Sequence, residues 1–251
     1  MEGETTRILV DTGLSSAPLL HNMEILGVDP LSIDAIFLTH CHYDHTGGLG
    51  GLLERTRDGV PVIAHPDLFR QCYVKKPRLR YIGVPEGNHR EVIESSGAQL
   101  TLERGPYEVI PGVTTTGEIE RRTGYEPLEN VFNLEDGELV QDPELDDMSL
   151  VVNVAGWGLI ILAGCSHAGI VNIIMQSRMV TGVDRVHGVI GGFHLRIAEE
   201  EQLTRTVEEL DRADTVCAGH CTGFKALKMI SDRMGERFSL LQCGKTLEFG
   251  D

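Results

Sequence analysis

Leu38-Thr39-His40-Cys41-His42-Tyr43-Asp44-His45-Thr46-Gly47-Gly48 is the stretch that decides how this chain is read. It packs three histidines and a carboxylate into the six residues 40–45. The apolar run Ile33-Asp34-Ala35-Ile36-Phe37-Leu38 comes directly before it and reads as a buried strand. Gly47-Gly48 then breaks the chain, and Leu49-Gly50-Gly51-Leu52-Leu53-Glu54-Arg55 opens a helix. The four polar residues therefore fall in a tight strand-to-helix loop. Imidazole is the commonest transition-metal ligand, and a carboxylate suits the same ions. His40 and His42, two apart, can point into one site from extended backbone, while Asp44 and His45 turn toward a second point. A polar surface loop is the plain alternative, and it does not account for four metal-competent side chains at this density.

Working outward, the second half of the chain repeats one arrangement three times: apolar strand, glycine, histidine, helix. Gly158–Ala163 leads to His167, Val186–Ile190 to His194, and Thr215–Ala218 to His220. Ligands in open α/β architectures collect at the carboxyl ends of strands. One such histidine is ordinarily a satisfied structural residue. Three of them, added to the cluster at 40–45, place at least two at a metal site. His21, inside the expected helix Ala17–Gly27, reads as a surface or packing residue, and His65 as structural or supporting. Further strands are expected at Thr6–Gly13, Pro61–His65, Tyr107–Val113, Ser149–Val154, Phe238–Gln242 and Thr246–Phe249. Helices are expected from Pro66, over Ile170–Val180 and Glu199–Asp211, and up to about Met234.

The 251 residues suffice for one large core, and neither a repeat nor a linker divides them, so a single domain over 1–251 is expected. A net charge of −16 excludes nucleic-acid binding through a broad basic face. No run approaches the roughly 20 apolar residues of a membrane span, and Met1-Glu2-Gly3-Glu4 has no signal-peptide character. A cytoplasmic protein with no membrane partner is the expectation. Its six cysteines, at 41, 72, 165, 217, 221 and 243, form no C-x-x-C pair and read as free thiols.

Arg70, Lys75, Lys76, Arg78 and Arg80 form a basic island with no acid among them. It is either a cradle for an anionic small-molecule substrate or a solvated face. Arg121 is a weaker candidate of the same kind. The segment from Glu135 to Asp147 carries acids and no basic residue, and reads as a solvated loop.

His-x-His-x-Asp-His followed by Gly-Gly-Leu resembles the signature of the metallo-β-lactamase superfamily, and Asp11-Thr12-Gly13 fits it. Gly164-Cys165-Ser166-His167-Ala168-Gly169-Ile170-Val171-Asn172, Gly191-Gly192-Phe193-His194-Leu195 and Gly219-His220-Cys221-Thr222-Gly223 resemble one branch, the 7,8-dihydropterin-6-methyl-4-(β-D-ribofuranosyl)aminobenzene-5′-phosphate synthase-like group. Thr116-Gly117-Glu118-Ile119 fits that branch too, and the resemblance runs from Ile8 onward. It implies an α/β fold, an αββα sandwich with a metal site at one edge. Against the family the chain reads as short at its start by about 30 to 40 residues.

The resemblance further implies two divalent ions, zinc first, with iron, manganese or magnesium as alternatives. They would be held by His40, His42 and His167 and by Asp44, His45 and His220. His167 would take the place of a missing family histidine. Cys165 stands where a bridging Asp is usual, and its role as bridge, ligand or packed thiol stays open. His194, without a ligand counterpart, would act on substrate or protons, and Asp44 is counted with it as catalytic. Lys75, Lys76, Arg78 and Arg121 would meet substrate anions. The implied activity is transfer of a dihydropterin methyl group to a ribofuranosylaminobenzene phosphate, as in methanopterin biosynthesis. The alternatives are a metal-dependent hydrolase of a phosphorylated or ester substrate and a non-catalytic metal-binding sensor.

Overall fold

The computed structural model describes residues 5–250; the reading of Met1–Glu4 lies outside them. The chain divides into two compact units. The first contains the residues up to Arg104 together with Asn130–Asp146, and the second contains Gly105–Glu129 and the residues from Asp147 onward.

In the first unit four short strands, Ile8–Val10, Ala35–Phe37, Pro61–Ala64 and Gln99–Leu102, pair in parallel in that order. Parallel strands need crossover connections. Helices Ser16–Ile25, Leu49–Leu53 and Arg90–Ser95 lie within them. The second strand is buried at every residue, as expected of an inner parallel strand. Ile36, Leu38, Leu49, Leu52, Val62 and Ile93 join one apolar core. A second, antiparallel sheet runs in the order Glu138–Gln141, Val131–Glu135, Cys72–Val74, Arg80–Tyr81.

The second unit is built on one seven-stranded sheet. Its order is Phe238–Leu240, Thr215–Gly219, Val186–Gly192, Gly158–Leu162, Leu150–Val154, Val113–Thr115, Glu108–Ile110. The first four strands are parallel to one another and the remaining pairings are antiparallel. Helices Ile170–Thr181, Glu200–Leu210 and Phe224–Met234 contribute Ile173, Ile174, Leu203, Leu210 and Ile230 to its core, which also holds Val189 and Val216.

Three readings change. Tyr107–Val113, expected as one strand, is a hairpin that reverses at Pro111-Gly112, where Gly112 takes φ +83°. Thr246–Phe249 forms no strand. The acidic run is no solvated loop: its first part is the hairpin Val131–Glu135/Glu138–Gln141, and Asp142, Glu144, Asp146 and Asp147 are buried. Alternation of apolar and polar residues is weak in that hairpin, so periodicity missed it. Helix Arg90–Ser95 and strand Gln99–Leu102 were also missed. No helix among the described residues is long and apolar enough to cross a membrane.

Candidate metal centre

In the first unit the donors sit on one turn. His42 is the residue before a four-residue helix, Tyr43–Thr46, which carries Asp44 and His45. The glycine pair that follows is required by close approach. A Cβ on Gly47 would lie 2.0 Å from the Leu14 carbonyl oxygen, and one on Gly48 would lie 2.2 Å from that of Thr12. The end of the first strand therefore clamps the turn. The Thr12 amide and hydroxyl both donate to the His45 carbonyl, at 2.7 and 2.9 Å.

Asp11 organises this half. It sits at φ +59°, a conformation Asp tolerates better than most residues. One carboxylate oxygen accepts from the Thr39 amide at 2.8 Å. The other accepts from the Thr39 hydroxyl at 2.8 Å and from His45 Nδ1 at 2.6 Å. The Thr39 hydroxyl also lies 2.9 Å from His40 Nδ1. Carboxylate and hydroxyl partners on Nδ1 fix ring orientation and would direct Nε2 toward a bound ion. His40, His42 and His45 are all buried, and the His40 ring packs 4.6 Å from His42 and 4.1 Å from His45. A carboxylate oxygen of Glu144 and the thiols of Cys41 and Cys72 lie within 4.8 Å of a His42 ring nitrogen. The Cys41 amide, between the two histidines, donates to Asp146 at 2.8 Å. Asp146 in turn pairs with Arg70 at 2.5 Å, and Arg70 with Asp142 at 2.5 Å.

In the second unit the donors come from three strand ends. Cys165 is the hub. Its sulfur lies within 4.8 Å of donor atoms of His167, His194, His220 and Cys221, and 3.1 Å from His220 Nε2. Ser166, His194 and His220 adopt positive φ of 63°, 46° and 52°. Such backbone costs about 1 kcal/mol or more per residue and persists only where the surroundings impose it. The Ala168 amide donates to Asp147 at 2.7 Å and the Ser166 hydroxyl to the Gly192 carbonyl at 2.6 Å, which fixes the His167 loop. Arg121 donates to the His167 carbonyl at 2.8 Å.

Glu129 meets two histidines at once. His167 Nδ1 lies 2.9 Å from one carboxylate oxygen and His194 Nε2 lies 3.0 Å from the other. Burial raises the Glu129 pKa, but the two imidazoles outweigh it and the carboxyl is held well below its ordinary range. Burial likewise opposes the charged form of His194, yet hydrogen bonding to Cys221 and Glu129 raises its pKa to about 9. The Cys221 thiol is held far below the ordinary thiol range by its hydrogen bond with Cys165, against the effect of burial.

The predicted donors thus fall into two sets, His40, His42, Asp44 and His45 in one unit and His167 and His220 around Cys165 in the other. His40, His42, His45 and His167 are buried and His220 is exposed; imidazoles backed by carboxylates and by a thiol suit a zinc-class ion. Of the proposed anion-binding residues, Lys75, Lys76 and Arg78 are exposed on the hairpin 72–81, with Lys75 Nζ lying 3.6 Å from the centre of the Phe132 ring. Arg70, from the same island, is instead buried against acids. His65 is fully buried and caps the turn Pro66–Phe69 by accepting from the Asp67 amide. Sequence reading gave Glu129 and Cys221 no role, and took Asp11 as part of an Asp-Thr-Gly strand end that fits the superfamily, without assigning it a partner. Cys221 had a signal, adjacency to His220; Glu129 had none, being one acid in an irregular loop.

The family model described as the metallo-beta-lactamase superfamily matches residues 1–127. A 7,8-dihydropterin-6-methyl-4-(beta-D-ribofuranosyl)-aminobenzene-5′-phosphate synthase of Methanocaldococcus jannaschii is 39% identical over 98% of this chain and 86% of its own length. An uncharacterized protein of the same archaeon is 33% identical over 92% of this chain and 85% of its own. A crystal structure described as a metal-dependent hydrolase of the beta-lactamase superfamily superimposes with a TM-score of 0.82 at 29% identity, covering 97% of this chain and 89% of the other. The chain belongs to the metallo-β-lactamase superfamily.

Proposed function

We propose that this protein is a metal-dependent transferase that joins a dihydropterin methyl group to a 4-(β-D-ribofuranosyl)aminobenzene 5′-phosphate. The observation that carries this reading is the 39% identity, over nearly the full chain, to a protein named for that product. We propose His40, His42 and His167, and Asp44, His45 and His220, as the protein ligands of two divalent ions, zinc first. Cys165 joins them, since its sulfur lies among the donors of the second unit. Ions bound there would offer positive charge to an anionic leaving group. The other roles belong to side chains. His194, held protonated on Glu129, gives a proton to the diphosphate that leaves as the C–O bond breaks and the aminobenzene nitrogen bonds the methyl carbon, and the nitrogen's own proton passes to solvent. Lys75, Lys76, Arg78 and Arg121 are proposed for the phosphate groups of the small-molecule substrates, and a cytoplasmic location is part of the same reading.

Hydrolysis is the second reading, favoured by the metal-dependent hydrolase of similar structure. The test is metal analysis of purified protein together with product analysis, using a pterin methyl diphosphate and the aminobenzene ribose phosphate. Coupled product, lost together with metal in His42→Ala, is the expected outcome. Release of phosphate from phosphodiesters without coupling would replace transfer with hydrolysis. Full metal content and activity in His42→Ala would overturn the ligand assignment.

A further inference from the structure

We propose that Glu129 is a positioning residue that ties His194 to His167 through the two oxygens of one carboxylate. This rests on the reading above, in which His167 binds metal and His194 handles a proton. The two rings lie 4.6 Å apart, tilted by 44°, so they stack side by side on one acid. Each oxygen serves a different ring, at 2.9 and 3.0 Å. A bidentate contact of this kind fixes both rings at once. A displacement of either ring is felt by the other. His194 Nε2 rests on Glu129, and that contact orients the ring on the side facing His167.

The segment that carries Glu129 is itself fastened. Glu126, three residues earlier, accepts from the Val171 and Asn172 amides at 3.0 and 3.1 Å and from the Thr123 hydroxyl at 2.8 Å. The Asn172 side chain accepts from the Arg122 and Thr123 amides at 2.8 and 2.9 Å. These bonds hold 122–126 onto the start of helix Ile170–Thr181, the same helix that follows His167. The acid and the first histidine are thus placed by one rigid element, while the second histidine stands on a strained backbone at φ +46°. A surface ion pair would have none of this support. The Glu129 side chain is 20% exposed and that of His167 only 3%.

Glu129→Gln tests the bridge. The amide has the same shape but only one acceptor oxygen, so it can serve one ring and presents N–H to the other. The primary readout is the ring nitrogen resonances of His167 and His194 in metal-free protein, which needs neither substrate nor turnover. Both pairs of resonances are expected to move together. With metal, affinity is expected to fall about 10- to 100-fold, and kcat by a similar factor with KM little changed, as for other residues behind a metal ligand. Movement of only one ring, or of neither, would overturn the bridge. If the Gln variant does not fold, Glu129→Asp carries the same readout. It keeps the charge but is one methylene too short to reach both rings, so at least one is expected to shift, and two unchanged rings would again refute the proposal. A wild-type protein that makes no coupled product, yet shows both rings moving in the variant, would refute the transfer reaction and leave the bridge intact.

Discussion

The turn at His40–Thr46 and the segment Glu135–Asp147 are comparably dense in ionisable side chains, and they place them by opposite means. In the turn, donors two to five residues apart converge because a strand ends, one helical turn follows, and Gly47 and Gly48 admit the backbone of residues 12–14. Spacing alone carries that information. In the acidic segment the spacing says little. Asp142 and Asp146 are buried because Arg70, some 70 residues earlier, lies between them. Asp146 then reaches back to hold the Cys41 amide, between His40 and His42. The second region, which looked like solvated charge, is part of the scaffold of the first.

Removing Arg70 is the strongest way to break this contrast. Burial works against its charge, and Asp146 and Asp142 more than offset that, so its pKa stays above the ordinary value. Arg70→Met would leave two carboxylates, 2% and 1% exposed, without their cation. Breaking a buried pair from one side costs about 3–5 kcal/mol. Urea unfolding is expected to show a loss of that size, together with weaker metal binding through the Cys41 amide. A variant within about 1 kcal/mol of the parent would mean that the acidic segment is, after all, held by something other than Arg70.

The same contrast explains what was legible in the sequence. The fold class came from motifs that resemble a known superfamily, and many of the individual strands and helices from apolar runs and glycines that act locally. The six histidine and aspartate residues proposed as donors were picked out on local grounds, because the motif is contiguous at 40–45 and each later residue follows its own strand. Glu129 and Asp11 were not legible as partners, because what matters in them is a contact with a side chain 34 to 65 residues away. The basic island was half misread for the same reason. Arg70 has no mark that separates it from Lys75 or Arg78 until the acids opposite it are known. Tyr107–Val113 failed locally: Pro111-Gly112 is a turn signal inside a run that was apolar enough to pass as one strand.

Asp11→Asn is the next largest effect, and it tests the local half. Asn accepts positive φ, so the backbone is not the confounding factor. Its oxygen can keep the Thr39 amide, but its NH2 then faces His45 Nδ1–H. Metal affinity, read by competition with a chelator, is expected to fall about 10- to 100-fold while the unfolding midpoint of metal-free protein changes little. Unchanged affinity would mean that the turn orients His45 without Asp11.

Tyr81 gives the smallest and most specific test, on the edge strand of the sheet that joins the basic hairpin to the acidic one. Its hydroxyl donates to the Val84 carbonyl at 2.9 Å. Burial, with the Cys41 and Cys72 thiols adding to it, pushes its pKa up to about 12. A pKa raised above the unfolded value of about 10 means that the folded state favours the neutral phenol. That contribution is complete below pH about 10 and is lost as pH rises toward 12. Tyr81→Phe is therefore expected to cost about 0.5–1.5 kcal/mol near neutrality, the worth of one hydrogen bond. It should also flatten the fall in stability between pH 10 and 12 and remove a phenol that titrates near pH 12 in ultraviolet absorbance. If the parent and the variant lose stability in parallel over that range, ionisation of Tyr81 is not what weakens the folded state there.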